Sequence, residues 1–181
     1  TITALDNSGE LGVSKADLFS MKLSSYWKLK NINKTWETFT IAHQKFAQNS
    51  TLMRQHFFYA VELGLFQEAL IYGEQFLASG SAKVEDYLAL GAALRKSRAY
   101  TKALHFLENA KLRYPSDERV ILSLAHVYLD MDQITTAASL FEDASRYDNK
   151  YTQEASELFR KGKMFYHALY LNAQIKDQKE K

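Results

Sequence analysis

Five histidines, His43, His56, His105, His126 and His167, are the residues with the widest chemical range in this chain. Imidazole can shuttle protons near neutral pH or bind a metal. Metal binding calls for close helical spacing or neighbouring Cys and acidic ligands, and the five are far apart, in separate segments. The chain has no cysteine, no H-E-x-x-H and no G-x-S-x-G. The stretch GSAKVED at 80–86 lacks the G-K-[ST] order of a phosphate-cradling loop. The histidines therefore read as surface or groove polar residues. The sequence predicts a protein that is not an enzyme, with no cofactor, no metal and no small-molecule substrate.

The elements that carry these residues follow from composition. At 181 residues, 46% hydrophobic and 24% charged, the chain is long enough for a real core and too apolar for general disorder. A net charge of +2 argues against nucleic acid, which calls for a concentrated basic stripe. No apolar run reaches the length of a membrane span, so no membrane contact is expected. Absence of cysteine fits the cytoplasm and the periplasm equally. One proline and seven glycines leave little turn chemistry for a multi-stranded sheet, so the fold class is all-α.

The helices repeat. Tyr100, Ala103 and Leu107 share a frame with Phe66, Ala69 and Gly73 in one direction and with Ile134, Ala137 and Phe141 in the other, each shift being 34 residues. Tyr87, Leu90, Gly91 and Leu94 correspond likewise to Ile121, Leu124, Ala125 and Tyr128. The small residues Gly91, Ala103, Ala125 and Ala137 fall where two helix backbones must approach. No single helix pair can bury its own apolar face, so stacking of pairs supplies the core.

This frame resembles the tetratricopeptide repeat family, W-x2-L-G-x2-Y, then A-x3-F, then P. Residues 84–117 match through Tyr87, Leu90, Gly91, Leu94, Ala103, Leu107, Ala110 and Pro115, and residues 118–149 through Ile121, Leu124, Ala125, Tyr128, Ala137, Phe141 and Ala144. Residues 50–83 keep Met53, His56, Phe57 and Ala60 in the frame and GLFQEAL at 64–70. Residues 16–49 form a degenerate copy through Tyr26, Ile32, Phe39 and Ala42. A fifth copy, 150–181, places Ala168 at the small position with a spacing of 31, which predicts a shorter loop. The resemblance implies a right-handed superhelical α-solenoid of antiparallel helix pairs over 15–181, preceded by an extended or disordered segment, 1–14.

It also implies function. In this family the first helix of each repeat lines the concave face, which places Arg54, Phe58 and Val61, Leu88 and Arg95, and Arg119, Leu122, His126 and Leu129 in the groove. Trp27 falls there too, in the first copy. The expected role is a non-enzymatic scaffold binding a protein or peptide, with apolar anchors on Phe58, Val61, Leu88, Leu122 and Leu129 and the arginines meeting acidic character. Phe58, Ala92 and Leu122 replace polar residues needed by the subgroup that clamps C-terminal carboxylates. The competing reading puts Leu88 and Leu122 in the core between repeats. An alternative role is a bacterial secretion-type chaperone cradling a hydrophobic segment. Terminal repeats with apolar outer faces can self-associate, so a homodimer is among the states expected.

Overall fold

The computed structural model describes residues 14–179, with side chains described to Lys176. The segment 1–14 read as extended lies outside the described residues except for Ser14. Among the described residues there are ten helices and no strand. They are α1 (Lys15–Lys28), α2 (Ile32–Lys45), α3 (Ser50–Glu62), α4 (Phe66–Ala78), α5 (Val84–Lys96), α6 (Tyr100–Arg113), α7 (Glu118–Asp130), α8 (Ile134–Ala144), α9 (Lys150–Lys161) and α10 (Phe165–Lys179). The chain divides into two compact units, Thr1–Ala82 with α1–α4 and Lys83–Lys181 with α5–α10.

Each hairpin turn is built the same way. A left-handed residue closes every first helix: Lys30, Gly64, Arg98, Asp132 and Lys163, spaced 34, 34, 34 and 31. The next residue donates its N–H across the turn to a carbonyl five residues back, as in Asn31 to Tyr26, Leu65 to Ala60, Ala99 to Leu94, Gln133 to Tyr128 and Met164 to Phe159, at 2.8–3.0 Å. This is the Schellman closure, which satisfies carbonyls that a helix end leaves orphaned. Only one of the five is glycine, so the turns do not announce themselves by composition. Most helices after these turns start without a side-chain cap, at Leu65, Ala99 and Gln133. Three of the five first helices are capped from the side chain: Ser14, Asn49 and Asp117 each accept a first-turn N–H.

In the first unit α1 packs on α2 and α3, and α3 packs on α2 and α4. Its core is aromatic, with Leu23, Phe39, Ala42 and Leu52 buried and Phe19, Trp36, Phe46 and Tyr59 packed around them. In the second unit α5 packs on α6 and α7, and α7, α8, α9 and α10 follow one on the next. Here the core is mostly aliphatic: Leu90, Leu94, Leu107, Val120, Leu124 and Val127 are fully buried with Phe141. Gly91 permits the α5–α6 approach, since a Cβ there would stand 2.7 Å from Leu107 Cδ2 and 2.8 Å from Cγ. The three residues missing from the last spacing come out of α8, 11 residues long against 14 in α6, and not out of the loop as expected. At the end of α8 the Ser145 hydroxyl donates to the Glu142 carbonyl at 2.6 Å.

Candidate functional site

In the second unit, α5 and α7 lie side by side and present one face. On these helices Leu90, Leu94 and Leu124 are sealed, whereas Leu88, Leu122, His126 and Leu129 stay partly exposed. Leu88 and Leu122 thus differ from the sealed leucines in keeping part of their surface open. His126 Nδ1 lies 2.7 Å from the Leu122 carbonyl, which can only accept, so Nδ1 is the donor of that bond. Its ring edge meets Phe141 at 5.7 Å.

Two ion pairs tie the face together at its ends. Arg95 Nε donates to Asp130 at 2.9 Å. Arg119 donates to Glu85 at 3.2 Å and to Asp117 at 2.6 Å. Those bonds hold the Asp117 carboxyl below its ordinary range and raise the Arg119 guanidinium above its own. Glu85 is lowered as well, first by its backbone hydrogen bond and then by Arg119. Two of the three arginines expected to meet an acidic ligand, Arg95 and Arg119, are thus engaged within the chain, bridging neighbouring first helices.

In the first unit, Arg54, Phe58 and Val61 form a stripe on α3, at i, i+4 and i+7. The Arg54 guanidinium sits over the Phe58 ring, 4.8 Å from its centroid, and Phe58 and Val61 are partly exposed. Part of the expected inner face of α1 is spent on packing. Trp27 stacks on Tyr59 at 4.2 Å, and Gln55 donates to the Ser20 carbonyl and the Ser24 hydroxyl. The nine groove residues fall into two groups, three in the first unit and six in the second.

A third feature was not anticipated. His56 is sandwiched between Phe39 and Tyr72, with centroids at 4.1 and 3.6 Å, and the edge of Trp36 meets it at 5.2 Å. Trp36 Nε1 donates to Glu68 Oε2 at 3.1 Å, and His56 Nε2 stands 3.8 Å from the same oxygen without a hydrogen bond. Burial, then the neighbouring His43, pushes the His56 pKa down to about 4. An open pocket of ≈ 370 Å³ lies beside these side chains, on the side of the second helices α2 and α4. The signal was in the frame: His56 occupies the position held by Leu90 and Leu124, both fully buried. No cluster of three or more metal-ligating side chains occurs among the described residues, and no helix there is long and apolar enough to cross a membrane.

Known proteins match this architecture. The family model for anaphase-promoting complex, cyclosome, subunit 3 matches residues 62–144. No curated protein matches the sequence. Among solved structures, MamA residues 41-end from Desulfovibrio magneticus RS-1 is similar at TM-score 0.69 and 18% identity, over 93% of this chain and 97% of that one. YrrB, described as a TPR protein with an unusual peptide-binding site, superposes with TM-score 0.71 at 16% identity, over 94% and 90% of the two chains. PilF of Pseudomonas aeruginosa gives 0.60 at 19%, over 86% and 72%. With the 34-residue frame and the five matching turns, these likenesses show a tetratricopeptide-repeat-type fold.

Proposed function

We propose that the chain is a non-enzymatic scaffold that holds a peptide or protein segment on its first-helix faces. The observation that carries this reading is the partial exposure of Leu88, Leu122 and Leu129 beside fully buried neighbours on the same two helices. These side chains are already partly buried, so covering what they leave open would contribute at most about a third of the 1.5–3 kcal/mol that a fully exposed leucine gains, before ordering costs. The exposed Arg95–Asp130 and Arg119–Glu85 bridges edge this surface between α5 and α7. Phe58 and Val61, with Arg54 over the ring, supply a further apolar contact in the first unit. The apolar outer side of α10, with Phe165, Tyr166, Leu169 and Tyr170 exposed, supports a homodimer; sedimentation equilibrium of the wild type against Tyr166→Glu, Leu169→Glu checks it.

The test is capture of partners by the wild type and by Leu88→Glu, Leu122→Glu, with circular dichroism on both. A folded variant that loses a specific partner supports the reading. A folded variant that keeps every partner removes this face from the site.

A further inference from the structure

The pocket beside His56 has a chemistry distinct from that of the apolar first-helix face. Trp36, His43, His56, Glu68, Ile71 and Tyr72 line it, and Glu68 is its one carboxylate, with no lysine or arginine in the lining. The Glu68 side chain is 39% exposed and is aimed by the Trp36 indole N–H. Among the described residues no lysine or arginine pairs with it. Burial keeps the adjacent His56 neutral at neutral pH, so the carboxylate has no imidazolium counter-charge from that side. Ile71 leaves half of its side chain open at the wall. A held carboxylate, aromatic rings and an exposed aliphatic surface together suit a cation on an apolar stem.

We propose that this pocket takes the cationic side chain, arginine or lysine, of a partner polypeptide, with Glu68 as counter-ion. The charged head meets the Glu68 carboxylate and the methylene stem covers Ile71. Anionic ligands are disfavoured by the same carboxylate, and a neutral aliphatic side chain leaves it without a partner. His56 and Phe58 lie two positions apart on α3, about 200° around the helix. The pocket and the first-helix stripe can therefore be occupied independently, and the proposal does not rest on the groove reading.

The experiment is an NMR titration of the folded chain with Ac-Gly-Gly-X-Gly-Gly-amide, X being arginine, lysine or norleucine. Expected are saturable shifts of the Trp36 indole N–H and the Ile71 methyl with arginine or lysine, and about tenfold weaker binding of norleucine. Glu68→Gln, which keeps an acceptor for the Trp36 indole, should weaken the cationic peptides about tenfold. For the wild type, raising NaCl from about 50 to 500 mM should weaken the cationic peptides and not norleucine, a readout independent of how any variant folds. Equal binding of norleucine, an unchanged Glu68→Gln titration, salt-insensitive binding, or no saturable shift with any peptide would each overturn the proposal. The arginine and lysine arms identify which cation is preferred.

Discussion

The two units solve the same packing problem with different side chains. The second joins its first helices with aliphatic residues, a glycine at the α5–α6 approach and ion pairs on the surface. The first joins them with stacked rings and buries polar atoms that lack partners, Gln55 Oε1 and His56 Nε2. A buried polar atom without a hydrogen bond costs about 1–3 kcal/mol, and among the described residues both such atoms belong to the first unit. The open pocket lies beside one of them, His56.

The largest expected effect is on the aromatic core. Phe39 is buried and touches Trp36, His56 and Tyr59, so Phe39→Ala should cost about 3–5 kcal/mol in urea unfolding. A cost near 1 kcal/mol would mean that the rings repack and the contrast between the units is shallow.

Acid comes next. The free imidazole value is 6.5 and that of folded His56 is about 4, so the unfolded chain takes up the proton first as pH falls. The contribution of His56 is complete above pH 6.5 and is lost as pH drops from 6.5 toward 4. On the order of 2–3 kcal/mol should disappear between pH 7 and 4.5, from 1.36 kcal/mol per pH unit. Urea unfolding of the wild type and of His56→Phe at both pH values checks this: the variant should lack that share of the loss.

The aliphatic unit is tested by overpacking. Gly91→Leu drives a side chain into fully buried Leu107 and should cost about 1–3 kcal/mol, read as a lower urea midpoint. The smallest effect belongs to the surface. A double-mutant cycle on Arg95→Ala and Asp130→Ala should give a coupling of about 0.2–1 kcal/mol that falls with salt, since both side chains are more than a third exposed.

Much of this was legible beforehand, for a definite reason. The recurrence of Ala69, Ala103 and Ala137 marks where second helices approach their partners, and all three are fully buried. Periodic apolar positions set the helix pairs because burial of one stripe is what makes a helix stable in a domain. Most left-handed turn residues were not legible, since Lys30, Arg98 and Lys163 are not turn formers by type. Their conformation is imposed by the helices they join. The shortening of α8 was likewise assigned to a loop, because a spacing of 31 records only that three residues are missing.

By itself the sequence determined the all-α class, the 34-residue period and the apolar positions on the first helices, since each depends on residues close together along one helix. Tertiary structure alone decided that Arg95 and Arg119 are spent on Asp130 and Glu85, residues about one repeat away. It also decided that Trp36, His56 and Glu68, from three different helices, meet around one pocket. Such contacts depend on the distances between helix surfaces, which the packing of whole side chains sets and the periodicity of one helix does not record.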